Sequence, residues 1–110
     1  MEGQTIRIGE LNVDGKSLFD RWYRKLDRSK QFEVDARMER VRLGNLGLHR
    51  NLRYGIVELK FESGLRIYGG WEGKMLLLLI LGGDKKGQQA DINFAEEIWL
   101  SYTKSTGSRK

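Results

Sequence analysis

Residues 75–81 read MLLLLIL, seven apolar side chains in succession that run into Gly-Gly and then Asp-Lys-Lys. A membrane-spanning helix needs about 20 apolar residues, so the run is too short to cross a bilayer as one. A short continuous apolar run bounded by glycines is instead the pattern of a buried β-strand. With no polar face, such a strand belongs inside a sheet and covered on both sides. The segment GGDKKGQQ that follows then reads as a loop at the rim of a rigid sheet, holding Lys85 and Lys86 on a short tether. Functional loops are often placed this way, and a plain solvated turn is the competing reading.

The remaining pattern fits one domain of α+β class. TIRIGEL alternates apolar and polar residues, as a first strand does, and DGKS offers a turn with Ser17 as a helix N-cap and Asp20 three positions on. Leu18, Phe19, Trp22, Tyr23 and Leu26 follow at helical spacing. A second helix is expected over about residues 32–43, with Val34, Met38 and Val41 inward and Gly44 just past its end. After the loop GNLGLHRNLRYG the period changes to two: Val57, Leu59 and Phe61 alternate with Glu58, Lys60 and Glu62. WEGK marks a tight turn, and Asp91 or Asn93 is the expected cap of a last helix carrying Ile92, Ala95, Ile98, Trp99 and Tyr102 inward. The order is β-α-α-β-β-β-α, over residues 1–104, with a polar tail at 105–110.

The register of the second hairpin can be read locally. A three-residue loop, Glu62-Ser63-Gly64, sets Leu59 opposite Ile67, Lys60 opposite Arg66 and Glu58 opposite Tyr68. A one-residue slip would expose a full apolar set. Lys60 and Arg66 thereby become cross-strand neighbours on the polar face, an arrangement that costs up to about 1 kcal/mol unless something offsets it. Glu58 and Glu62 are one source of compensation. A phosphate is the other, with Tyr68 on the same face to stack on a base or hydrogen-bond to it.

The absence of cysteine rules out disulfides and thiolate metal sites, and a single His rules out a His-rich one. A net charge of +5 hints at a polyanionic partner. The first residues, MEGQTIRIGEL, lack the build of a secretory signal, so a cytoplasmic protein with no membrane partner is expected.

The element order, together with LFDRWYRKL, VRLGNLG, VELKFESGLRIY, LLLLILGGDKKGQQADI and the closing aromatic helix, resembles the RelE/ParE superfamily of bacterial type II toxins. Within it, the HigB-like addiction module killer proteins are the nearest branch. The resemblance spans roughly residues 15–104. It implies a small twisted antiparallel sheet, helices packed on one side and a basic groove on the other. It also implies a ribosome-dependent mRNA endoribonuclease (an mRNA interferase) that needs no cofactor or metal. Its partners would be mRNA, the ribosome and a cognate helix-turn-helix antitoxin, through which alone it would meet operator DNA. The family's strand and hairpin arginines fall on Lys60 and Arg66, and its last basic residue on Lys85 or Lys86. Proton transfer falls to His49, Glu58 or Tyr68, and RNA binding to Arg50, Arg53, Arg40 and Arg42. Three features depart from the pattern: Lys at 60 exchanges a bidentate grip for a point charge, Leu65 replaces an aromatic residue, and Ile92 or Phe94 stands where a late tyrosine is used. The alternatives are a non-enzymatic DNA gyrase inhibitor of the ParE type, and a degenerate relative that only binds its antitoxin.

Overall fold

A computed structural model describes residues 5–106 of the chain, so residues 107–110 of the expected tail lie outside the described residues. The fold is α+β. Strand β1 (Arg7–Glu10) is followed by a small hairpin of β2 (Asn12–Val13) and β3 (Lys16–Ser17), then helices α1 (Leu18–Arg24) and α2 (Arg28–Arg42). Four strands come next, β4 (His49–Asn51), β5 (Ile56–Lys60), β6 (Leu65–Glu72) and β7 (Leu76–Asp84), and helix α3 (Gln88–Thr106) closes the chain. The main sheet is ordered β1-β7-β6-β5-β4.

Local chemistry accounts for these boundaries. Asp14 and Gly15 both have positive φ (54° and 79°), the conformation a two-residue β2–β3 turn demands. The Ser17 hydroxyl accepts from the Asp20 N–H at 2.9 Å, capping α1 as expected. Helix α2 starts earlier than its apolar stripe suggests, because the Asp27 carboxylate accepts from the Lys30 N–H at 3.0 Å and caps it there. Gly44, at φ 95°, ends α2 with its N–H on the Val41 carbonyl.

The apolar run is an interior strand: β7 lies between β6 and β1. Leu77 and Leu79 join Val34, Met38 and Val41 of α2 and Phe19 of α1 in one core. Ile80 and Leu81 join Ile92, Ala95 and Trp99 of α3 in a second. A bulge pairs Tyr68 with Leu81 but Gly69 with Leu79, so two consecutive β7 residues serve the α3 core. With both faces of β7 covered, no alternation shows in the sequence. Each fully buried Leu or Ile here stabilises by roughly 1.5–3 kcal/mol.

Further details differ from the sequence reading. Helix α3 begins at Gln88, ahead of Asp91 and Asn93, so neither caps it, and β2, β3 and β4 add to the expected order. The sheet is mixed, because β1 pairs in parallel with β7; the α1–α2 hairpin between them supplies the crossover a parallel pair requires. Gly82 and Gly83 do not open a loop but continue β7, since a Cβ at Gly82 would overlap the Trp22 ring and one at Gly83 the Asp91 carboxylate. Helices α1 and α2 cover one side of the sheet, whereas α3 lies against the other, where Ile92, Ala95 and Trp99 find their apolar partners. Among the described residues, no helix is long and apolar enough to cross a membrane.

A candidate anion site at one end of the sheet

The expected hairpin register holds: Glu58 pairs with Tyr68, Leu59 with Ile67 and Lys60 with Arg66, and Gly64 takes φ 104° in the turn. Across the next ladder Arg66 pairs with Gly83 and Leu65 with Asp84. The Lys85 N–H donates to the Gly64 carbonyl at 2.9 Å, tying the turn after β7 to the hairpin turn. Asp84 caps that turn by accepting from the Lys86 N–H at 3.0 Å. Lys60, Arg66, Lys85 and Lys86 therefore share one end of the sheet. Lys85 and Lys86 are exposed and Lys60 is half-buried.

Arg66 is different. Only 9% of it is exposed. Its Nη1 donates to the carbonyls of Leu65 (3.0 Å) and Phe61 (3.3 Å), and its Nε lies 4.0 Å from Glu58 Oε2 with no hydrogen-bond partner among the described residues. Glu58 is fully enclosed. Arg50 Nε donates to its Oε1 at 3.1 Å, while the Tyr68 hydroxyl (3.1 Å) and Gln88 Nε2 (2.7 Å) donate to Oε2. Tyr68 is buried too, so its ring cannot stack on a base in this arrangement. Burial first, and then the adjacent Glu58 carboxylate, hold the Tyr68 hydroxyl well above the usual tyrosine range. It is a proton donor at neutral pH, never a base. The compensation for the cationic pair is thus Glu58 acting on Arg66, under the start of α3. Gln88, the first residue of α3, belongs to this cluster and was not read from sequence; a polar residue just past a Lys-Lys-Gly turn carries no signal of burial.

The remaining candidates divide by the pleat. Arg50 pairs with Glu58 and His49 with Leu59, so alternation sends the two side chains to opposite faces. His49 is exposed on the α2 side, with Nδ1 2.7 Å from the Gly47 carbonyl. A carbonyl only accepts, so Nδ1 carries the hydrogen and the neutral ring keeps its lone pair on Nε2. On the same side, an open cavity of about 420 Å³ is lined by Arg40, Arg37, Leu48 and Phe61; Lys60, whose side chain the pleat sets on the Arg66 face, borders it at the end of β5, where its carbonyl accepts from Arg37. Arg66, Lys85 and Lys86 do not line it. Arg42 is engaged by Glu39 at 2.8 Å on α2, and Arg53 sits beyond the other end of β5, paired with Glu96 at 3.2 Å. These two are not part of the shared end.

Arg37 organises this side although it is only 4% exposed and has no acidic partner among the described residues. Its guanidinium donates to the carbonyls of Leu46 (2.9 Å), Leu48 and Lys60 (2.9 Å) and lies 4.7 Å over the Phe61 ring. Burial lowers its pKa, and the nearby Arg40 charge adds to this. The clamp fixes the chain just before β4 and so sets where His49 and Arg50 stand. Among the described residues, no three His, Cys, Asp or Glu side chains are grouped to hold a metal ion.

What the geometry offers is a set of cations from three elements, exposed at Arg40, Lys85 and Lys86 and half-buried at Lys60, with His49 exposed on the α2 side. A buried Glu–Arg–Tyr cluster backs them. No family model matches the chain. An uncharacterized protein of Haemophilus influenzae is 35% identical over 81 residues, covering 71% of this chain and 82% of the relative. The chain belongs to the family of that Haemophilus influenzae protein.

Proposed function

We propose that this protein is the toxin of a type II toxin–antitoxin pair, a cytoplasmic member of the RelE/ParE superfamily that cleaves mRNA on the ribosome. The reading is supported by one observation above others: the strand register gathers Lys60, Arg66, Lys85 and Lys86 at a single sheet end. The reaction is transesterification. The 2′-oxygen attacks the adjacent phosphorus, the bond to the 5′-oxygen breaks, and the products are a 2′,3′-cyclic phosphate and a 5′-hydroxyl. Lys60 and the two loop lysines hold the phosphate and stabilise its developing charge, which is where most of the rate enhancement in such catalysis arises, and Arg40 binds a neighbouring part of the RNA. Arg66 contributes its field from behind. Nε2 of His49 takes the 2′-hydroxyl proton, and solvent returns one to the leaving oxygen. A helix-turn-helix antitoxin neutralises the toxin and carries it to operator DNA.

A second reading has its own observation. Arg66 is buried and engaged by carbonyls, which suits a toxin that binds without cleaving, as gyrase inhibitors of the ParE type do. The purified protein should be incubated with translating ribosomes and the RNA ends mapped. Cleavage within codons, lost in Lys60→Ala and in His49→Ala, supports the first reading. Intact RNA beside trapped gyrase–DNA breaks supports the second. Neither effect, and no growth arrest on expression without antitoxin, leaves a protein that only binds its partner.

A further inference from the structure

The cavity of about 420 Å³ between α2 and the β5–β6 turn has the volume of a small-ligand site. Ala36, Leu48 and Phe61 give it apolar walls, and Leu48 is left 62% exposed. Most of its polar groups are already engaged. Three backbone carbonyls hold the Arg37 guanidinium, and the Ser63 hydroxyl donates to Glu33 Oε1 at 2.8 Å. Two lining side chains differ. Arg40 and Glu62 make no ion pair or side-chain hydrogen bond among the described residues. Arg40 also stands near the buried Arg37, a contact between like charges that an incoming anion would relieve. Glu62 sits in the turn whose Gly64 carbonyl accepts from the Lys85 N–H, so the cavity rim and the loop lysines share one turn.

A ligand that fits this lining combines a flat apolar body, N–H donors for a carboxylate, and negative charge on either side. A base and its flanking phosphates in single-stranded RNA meet all three conditions. Among the bases, guanine presents two adjacent donors, N1–H and the N2 amino group, which match the two oxygens of one carboxylate. Adenine and cytosine set a ring-nitrogen lone pair beside their amino group, and that lone pair repels a carboxylate. Uracil sets its one N–H between two carbonyls.

We propose that the cavity is a guanine subsite of the RNA-binding surface, where Glu62 accepts from N1–H and N2–H. Ala36 and Leu48 flank the base, while Arg40 and the loop lysines take the phosphates on its two sides. The subsite rests on the proposed function and adds to it a base preference set by one residue.

Binding can be measured apart from cleavage with fluorescein-labelled oligouridines of about six nucleotides carrying one central G, A or C. Sugars with 2′-fluorine leave no 2′-hydroxyl to attack. Fluorescence anisotropy should show the G sequence binding about tenfold or more tightly than the other two. Glu62→Gln exchanges one acceptor for a donor at an exposed turn position. It should abolish the G preference and favour A, whose amino group and ring nitrogen match an amide. Arg40→Ala should weaken all three sequences alike and lower the slope of log affinity against log salt by about 0.7. Equal affinities for the three bases, or a G preference that survives Glu62→Gln, would overturn the subsite and leave the RNA reading standing. Binding of none of them at low salt would remove both. Displacement of the G sequence by acetylarginine amide at lower concentration than by guanosine monophosphate would overturn it too, and assign the cavity to an arginine of a partner protein.

Discussion

Replacing Glu58 by Ala removes the acceptor around which the buried cluster is built. Three donors lose their partner at once, namely Arg50 Nε, the Tyr68 hydroxyl and Gln88 Nε2. The tyrosine hydroxyl is enclosed and cannot recruit water freely, and Arg66 keeps a positive charge with no counter-charge at 4.0 Å. Removing one member of a buried ion pair costs about 3–5 kcal/mol, mostly the penalty of the stranded charge. The three hydrogen bonds are already part of that figure and are not added again. For a domain of this size, each kcal/mol moves the melting temperature by roughly 4 °C, so the expected drop is about 12–20 °C. Thermal melts followed by far-UV circular dichroism measure the drop and urea titration the free energy, alongside Glu58→Leu/Arg66→Met. Exchanging both charges for apolar groups of similar size is often neutral or stabilising, so the double variant should recover most of the loss. A single variant within about 1 kcal/mol of the parent would refute the reasoning, as would a double variant no better than the single. Either result would mean that Arg66 finds its stabilisation elsewhere.

Three further outcomes follow from particular contacts. Gly82→Ala drives a methyl group into the Trp22 ring, so it should destabilise by about 1–3 kcal/mol and alter the near-UV circular dichroism of the aromatic cluster. Asp91 has its pKa raised above the usual 3.8, first by burial and then by the Asp84 charge. In the window from 3.8 up to that raised value the folded state binds more protons than the unfolded one, so stability falls as pH rises. Asp91→Asn should flatten that part of a urea-midpoint profile against pH; an unchanged profile would mean that other groups set it. For RNA binding, Lys85→Ala/Lys86→Ala should lower the slope of log affinity against log salt by about 0.7 for each lost phosphate contact, read by anisotropy on a single-stranded oligonucleotide.

Where sequence and structure agree, a single period or a single cap carried the information. The β5–β6 register was legible because slippage would expose Val57, Leu59, Phe61 and Ile67 together, and because Gly64 marked the turn. The interior position of β7 was legible from its unbroken apolar run. The covering of the second sheet face was not. Alternation labels Glu58, Arg66 and Tyr68 as the polar set, and a polar set satisfied by its own members under a helix has the same pattern as one facing water. The glycines misled for a related reason: Gly82 and Gly83 read as loop punctuation, but their missing side chains are seats for Trp22 and Asp91. Strand β4, three exposed residues reading HRN, has no hydrophobic pattern at all. Its position comes from Arg37, a residue whose burial no local window could foretell.

That clamp bears on which face of the site does the work. Because β4 is held in register by Arg37, its pleat separates His49 from Arg50, and the sheet becomes a partition between two groups of charges. On the α3 side every cation of the cluster already has an anion or carbonyls to answer to. On the α2 side Arg40 lines an open cavity rimmed by Glu33 and Glu62, with His49 exposed on the same side, while Lys60, paired with Arg66 at the end of β5, borders both groups. A polyanion arriving from solvent meets the second group and the exposed loop lysines, while the first can act on it only through the field it projects past the strand ends. Charge on the α2 side should therefore govern association, and the Glu58–Arg66 cluster should govern stability. A variant such as Lys60→Ala is expected to change ligand affinity with little change in melting temperature. Glu58→Gln is expected to do the reverse, and the opposite assignment of effects would place the working surface under α3.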